Sequence, residues 1–122
     1  MSLTFSKLPH ALTCILVAAV PDEYGNVRVH RRDDVILPCH VTPSTATNVT
    51  WLHREKPTSP RLWDIYVNGQ IFRKLRRRFS INNATAGDYS LTILNIQLSD
   101  GGRYRCINQQ QLIQNYVIYV KG

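Results

Sequence analysis

The side chains that most often carry chemistry are sparse in this chain and show no catalytic or metal-binding spacing. His30, His40 and His53 are scattered and lack the short spacing of a metal site or of a base paired with a nucleophile. No serine stands in a nucleophile elbow, no glycine-rich loop precedes a helix, and the acidic residues form no obvious catalytic pair. We therefore predict that the protein is not an enzyme and uses no metal and no cofactor.

Positive charge is concentrated in one short run. Arg73, Lys74, Arg76, Arg77 and Arg78 place five basic residues in six positions and supply most of a net charge of +7. Such a run can neutralise several anionic groups at once, which would suit sulfated glycans, an acidic protein surface or nucleic acid. The alternative, which we favour, is a solvated edge that prevents one sheet from pairing with another.

The N-terminal residues have the pattern of a secretory signal peptide. Lys7 is followed by an uncharged apolar run from Ala11 to Val20, which is ten residues long and too short to cross a membrane, a task that takes about 20 residues. The alternative is a buried amphipathic helix, but the run has no polar face after Thr13. We predict a signal peptide over residues 1–19 and a single domain over residues 20–122.

This leader predicts an extracellular setting, either secreted or on the outer side of the plasma membrane. A nucleic-acid partner is then disfavoured. Removal of the leader takes Cys14 with it and leaves Cys39 and Cys106, and an even pair in a secreted chain implies one disulfide. No second apolar stretch approaches membrane-spanning length, so we expect no anchor within this chain, which is either secreted alone or a fragment of a longer receptor.

Short segments with period-two alternation follow the leader, and clusters of turn-forming residues separate them. Val35, Leu37 and Cys39 alternate in one candidate strand, and Asn68-Gly69 is a strong hairpin signal after another. Seven to nine short strands with frequent turns predict an all-β, two-sheet antiparallel sandwich.

One set of residues carries a resemblance to a known family. Cys39, Trp51, Leu91-x-Ile93 and the run from Asp100 to Cys106 resemble the immunoglobulin superfamily. The resemblance covers residues 27–122, and the cysteine separation of 67 fits the variable (V-set) type. It is strongest to the non-rearranging V domains of butyrophilin-like and co-stimulatory ligands and of junctional adhesion receptors. The short Asn108–Gln114 segment and the lack of a Phe-Gly-x-Gly bulge disfavour an antigen receptor.

The resemblance implies roles for individual residues. Trp51 would pack on the disulfide that joins the two sheets, and Tyr104 would form a tyrosine corner. Arg78 would pair with Asp100 and so leave the solvent-exposed basic run. Asn48 and Asn83 begin Asn-x-Thr sequences and are predicted to carry glycans.

V-set domains commonly bind through the sheet that carries strands C, C′, F and G. This resemblance implies a protein partner, either another Ig-like domain or a second copy, and the basic run offers sulfated glycans as the alternative ligand. The predicted partner-binding residues are Trp63, Tyr66, Gln109, Gln110, Leu112 and Tyr116.

Overall fold

The computed structural model describes residues 17–56 and 61–122, so most of the predicted signal peptide lies outside the described residues. Within this part of the chain, nine strands and three single turns of 3-10 helix follow one another. The strands are β1 (Asn26–His30), β2 (Val35–Leu37), β3 (Thr50–Arg54), β4 (Trp63–Val67), β5 (Gln70–Ile71), β6 (Phe79–Asn83), β7 (Asp88–Ile93), β8 (Gly102–Asn108) and β9 (Gln111–Lys121). The 3-10 turns span Arg73–Leu75, Ala84–Ala86 and Leu98–Asp100.

The strands form two sheets, which confirms the predicted sandwich. The larger sheet has the order β1-β9-β8-β3-β4-β5, and the smaller has the order β2-β7-β6. All neighbours are antiparallel except β1, which runs parallel to β9. Ala19 instead hydrogen-bonds to Asp34 and Ile36 beside β2, so the N-terminal segment contacts the smaller sheet before it crosses to the larger one.

The core lies between the sheets and follows the alternation of the sequence. Side chains two apart on a strand point to the same face, so every second residue is buried. Val35, Leu37, Leu91 and Ile93 are fully buried on the smaller sheet, and Ile118 lies opposite them on the larger one. The strands of the sequence pattern therefore fill one core from both sides.

Two-residue turns join β4 to β5 and β8 to β9 in the larger sheet. Asn68 and Gly69, between β4 and β5, have φ of 54° and 77°, which is the left-handed pattern that an Asn-Gly turn predicts. Gln109 and Gln110 adopt the same pattern between β8 and β9, with φ of 51° and 66°. The predicted connecting segment from Asn108 to Gln114 is therefore mostly strand, because β9 begins at Gln111.

The glycine pair before the second cysteine has one position that only glycine can occupy. Gly102 has φ of 118°, and a Cβ there would lie 2.2 Å from the carbonyl oxygen of Arg54. Gly101 has an ordinary φ of −63°. A residue with a side chain would therefore fit the backbone at position 101 but not at position 102.

Candidate functional site

A covalent and hydrogen-bonded centre holds the two sheets together. Cys39, two residues after the end of β2, is disulfide-bonded to Cys106 of β8, and both residues are fully buried. Trp51 is fully buried between the sheets, and its indole N–H donates to the carbonyl oxygen of Tyr89 at 2.7 Å. These two links hold β3 and β8, which are paired strands, against the smaller-sheet side and so fix which of their side chains face outward.

A second cluster closes the bottom of the sandwich. The Tyr104 hydroxyl donates to the carbonyl oxygen of Asp100 at 2.5 Å, and burial raises the pKa of Tyr104 well above its usual value. Arg78 donates to both carboxylate oxygens of Asp100, at 2.7 and 3.1 Å, and this hydrogen bonding raises the pKa of Arg78. The backbone N–H of Gln97 also donates to Asp100, so the buried carboxylate accepts three hydrogen bonds.

Two of the predicted partner-binding residues are buried, and their assignment to a binding surface is wrong. Tyr66 and Tyr116 are each 7% exposed. Tyr66 packs against Tyr89 of the smaller sheet, and its burial raises its pKa. Tyr116 stacks on Trp51, its hydroxyl donates to the carbonyl oxygen of Pro38, and burial raises its pKa to about 12. Both rings fill the space between the sheets, where a partner cannot reach them.

Trp63 is exposed, but it does not lie on the outer face of the larger sheet. It pairs with His53, which is buried, and residues paired across two strands point to the same side. The indole is 42% exposed because β4 is near the sheet edge, and it lines a groove together with Phe72 and Lys74. The structure therefore places Trp63 beside the basic run rather than beside β8 and β9.

Gln109, Gln110 and Leu112 are exposed, as a binding surface requires. The two glutamines form the tip of the β8–β9 hairpin, and Leu112 is 52% exposed. Leu112 pairs with Ile107, whose side chain points outward because its neighbours Cys106 and Asn108 are buried. These residues lie together on the outer side of the larger sheet.

Further residues, which were not predicted from the sequence, also belong to the outer side of the larger sheet. On β3, Leu52 points outward between the buried Trp51 and His53, and it pairs with the outward Arg105 of β8. The alternation around Trp51 and Cys106 carries this information, so the sequence contained the signal. We call the outward set formed by Thr50, Leu52, Arg105, Ile107, Leu112 and Asn115 the β3–β8–β9 surface.

An open depression lies at the hairpin end of this surface. Leu52 and Ile107 line it together with Thr50, Asn48, Gln109 and Gln110, and its volume is about 690 Å³. Arg105 is half-buried on the same face, and its Nε atom is buried without a hydrogen-bond partner in the described structure. The surface thus combines apolar side chains, amides and an unsatisfied donor, which suits binding rather than catalysis.

The four remaining basic residues of the run are separate from this surface. Arg73, Lys74, Arg76 and Arg77 are exposed and lie between β5 and β6, at the far edge of the larger sheet. We call these four residues the basic edge. Arg78 is not part of it, because that residue is bonded to Asp100.

The predicted glycan acceptors are both exposed. Asn48 lies before β3 and lines the depression of the β3–β8–β9 surface, whereas Asn83 ends β6 on the smaller sheet. Their glycosylation stays a prediction. Among the described residues, no group of three metal-ligating side chains comes together, and none of the helical turns is long and apolar enough to span a bilayer.

The two sheets, the Cys39–Cys106 disulfide between them and the buried Trp51 define an immunoglobulin-type sandwich of the variable kind. The immunoglobulin V-set domain model matches residues 23–118, and the chain belongs to this family. V-set domains are typically non-enzymatic recognition domains on the extracellular side of cells.

Known proteins similar to this chain support the assignment. Immunoglobulin superfamily member 11 of Bos taurus is 33% identical over 97 residues, which cover 72% of this chain and 22% of that protein. The chain therefore spans about a fifth of that relative's length.

Solved structures share the fold at lower identity. The RIG-5 IG1 homodimer matches with a TM-score of 0.65 at 19% identity, over 87% of this chain and 100% of that chain. Murine CRIg matches with a TM-score of 0.60 at 21% identity, over 80% and 93% of the two chains. The ZIG-8–RIG-5 IG1–IG1 heterodimer matches with a TM-score of 0.58 at 15% identity, over 87% and 84%.

Proposed function

We propose that this chain is an extracellular recognition domain that binds a protein partner through the β3–β8–β9 surface. The observation that carries the proposal is the apolar group Leu52, Ile107 and Leu112, which lies on the outer side of the sheet with Arg105, Asn115 and the hairpin glutamines around it. An apolar centre inside a polar rim is the usual composition of a protein–protein interface.

The partner is best sought among other Ig-like domains. Two of the similar structures are complexes of immunoglobulin domains, one a homodimer and one a heterodimer. Sheet-to-sheet pairing of two such domains would bring the flat β3–β8–β9 surface against a similar face. We include the signal peptide over residues 1–19 and a glycan at Asn83 in the proposal, because both belong to the extracellular setting in which such partners occur. A glycan at Asn48 would instead compete with a partner for the depression at the hairpin end.

Charge favours a different molecule over a second copy. Arg103 and Arg105 point outward on β8, whereas Asp64 is an acidic side chain on this side, opposite Leu52. A symmetric dimer presents the same patch from both subunits, so its positive charge would face itself. We therefore expect a partner with an apolar centre and an acidic rim.

A binding screen tests the proposal directly. The oxidised chain is screened against an array of Ig-superfamily ectodomains and against itself, and each hit is measured again with the Ile107→Asp variant. An aspartate at the apolar centre should weaken the true interaction at least about 30-fold, which corresponds to loss of a hot-spot contact of about 2 kcal/mol.

Ser80→Asp serves as the matched control, because Ser80 is exposed on β6 of the other sheet. It should leave affinity unchanged. Hits that tolerate Ile107→Asp but are lost with Ser80→Asp would assign recognition to the smaller sheet and refute the proposal.

A further inference from the structure

The chain from Phe72 to Arg78 winds as successive 3-10 turns. Leu75 N–H donates to the carbonyl oxygen of Phe72 at 2.8 Å, Arg76 N–H to that of Arg73 at 3.4 Å, and Arg78 N–H to that of Leu75 at 3.0 Å. Side chains three residues apart in such a helix lie one above the other. These bonds fix two rows, one of Phe72, Leu75 and Arg78 and one of Arg73 and Arg76.

The first row anchors the segment to the domain. Leu75 packs partly buried against the core, and Arg78 is bonded to Asp100. The second row, Arg73 with Arg76, is exposed and forms the basic edge together with the exposed Lys74 and Arg77. Successive members of a row are about 6 Å apart along the axis, at roughly 2 Å of rise per residue. Four exposed cations thus lie along the outside of a segment that is anchored to the domain.

The charges of these four cations are not balanced by the side chains that the structure describes. Within residues 17–56 and 61–122, none of them forms an ion pair. Arg76 is held by its bonds to the carbonyl oxygen of Ile71 at 3.2 Å and the side chain of Gln70 at 3.4 Å, while its charge stays uncompensated. The four represent more than half of the net charge of +7.

Two shallow grooves with aromatic walls flank the rows. One groove, of about 390 Å³, is lined by Ile71, Phe72, Arg73 and Arg76, and the other, of about 230 Å³, by Trp63, Phe72 and Lys74. Phe72 is 47% exposed and Trp63 is 42% exposed. Asp64 lines both grooves, and Glu55 and Asp100 also line the second, where Asp100 is already paired with Arg78. Each groove therefore joins an exposed aromatic ring to at least one unpaired cation.

We propose that the basic edge is a second binding site, specific for a sulfated glycan chain. Four adjacent cations match the repeated sulfate groups of a linear polyanion, and the ring of Phe72 offers an apolar face to the sugar rings between the sulfates. The Trp63 ring carries the Arg61 guanidinium 4.8 Å from its centroid, which adds a cation beside the second groove. The site is separate from the β3–β8–β9 surface and goes beyond the proposed recognition of a protein.

Other anionic partners fit this edge less well. The centre of a protein–protein interface is depleted of charged residues, whereas the centre of this patch consists of them. Anionic lipids are concentrated in the cytoplasmic leaflet of the plasma membrane, which an extracellular domain does not meet. A sulfated glycan satisfies both the charge and the setting.

Binding of a heparin octasaccharide, measured by titration calorimetry, tests the proposal. With four ionic contacts, log K should fall against log salt with a slope of about −3, at roughly 0.7 per contact for a flexible polyanion. The variant Arg73→Gln/Lys74→Gln/Arg76→Gln/Arg77→Gln should lose at least 30-fold in affinity. Ile107→Asp should bind the octasaccharide like the wild type, which separates this site from the proposed protein site.

The matched control is Arg28→Gln/Arg31→Gln/Lys56→Gln/Lys121→Gln, which removes four exposed charges elsewhere. It should change affinity less than threefold. Equal losses in both variants would mean that only net charge matters and would overturn the proposal. Tighter binding to phosphatidylserine vesicles or to poly-L-glutamate than to the octasaccharide would also overturn it, in favour of a membrane or an acidic protein.

Fluorescence gives an independent readout of the groove. Trp51 is fully buried and Trp63 is partly exposed, so a change in emission on octasaccharide binding reports on Trp63. The change should disappear in Trp63→Phe. An emission change that persists in this variant would place the glycan away from the groove and contradict the proposed site.

Discussion

Arg78 and Asp100 form the ion pair at the bottom of the sandwich. The Asp100 side chain is 7% exposed and that of Arg78 is 27% exposed, and Arg78 also donates to the carbonyl oxygens of Leu94 and Asn95 at 3.3 Å. We predict that Arg78→Gln lowers the free energy of unfolding by about 2 kcal/mol, because it leaves a buried carboxylate without its cation.

Chemical denaturation measures this loss. Arg77→Gln removes the same charge from the neighbouring exposed residue and should change stability by less than about 0.5 kcal/mol. Equal effects of the two substitutions would show that Arg78 acts only through net charge.

His53 makes stability depend on pH. It is 6% exposed, stacks on Tyr104, and its Nε2 lies 2.8 Å from the carbonyl oxygen of Gly101. Burial lowers the pKa of His53, although the Gly101 bond and the charges of Asp100 and Glu55 oppose this shift. The unfolded chain therefore binds a proton at a higher pH than the folded chain does.

The sign of the pH effect follows from that difference. The contribution of His53 is complete above the unfolded pKa of about 6.5 and is lost as pH falls through this value toward the lower folded pKa. We predict that the midpoint temperature of thermal unfolding decreases when the pH is lowered from 7.5 to 5.5, and that this decrease is smaller in His53→Gln. His30→Gln, at an exposed position of β1, should leave it unchanged. An identical pH profile for wild type and His53→Gln would contradict this role.

The β8–β9 hairpin has unusual residues at its tip. Its tip places Gln109 and Gln110 at positive φ, where asparagine and glycine are the usual residues. The same side chains line the depression of the β3–β8–β9 surface. Glutamines in a strained backbone at that position suggest that their side chains are kept for binding rather than for stability.

Substitution at the tip separates these two roles. Gln109→Asn/Gln110→Gly should raise the free energy of unfolding by about 1 kcal/mol, because both residues then suit the left-handed backbone. The same variant should bind the partner more weakly. Gln111→Gly, at an ordinary strand position, should instead lose stability. A variant that gains stability and keeps full affinity would exclude the glutamines from the interface.

The whole molecule shows what sequence alone predicts and what it does not. The two-sheet fold and its disulfide were predictable, because the packing of Cys39, Trp51 and Cys106 depends on residue type and spacing. The binding surface was only partly predictable. Tyr66 and Tyr116 are aromatic residues on the expected strands, but the side of the sheet that they occupy depends on strand register.

Register also explains the position of Trp63. Pairing with His53 and a shift between Trp51 and Leu52 decide which β4 side chains point outward, and neither is written in the local sequence. The hairpin tip is similar, since two glutamines give no turn signal and only the pairing of β8 with β9 fixes the turn. These are long-range effects that a short motif does not contain.

Amide hydrogen exchange of the complex with the partner from the ectodomain screen is the most direct test of the central claim. We predict that binding slows exchange in β3, β8 and the hairpin end of β9, around Leu52, Ile107 and Leu112, and leaves β6 and β7 unchanged. Slowed exchange confined to β6 and β7 of the smaller sheet, with β3 and β8 unaffected, would contradict recognition through the β3–β8–β9 surface.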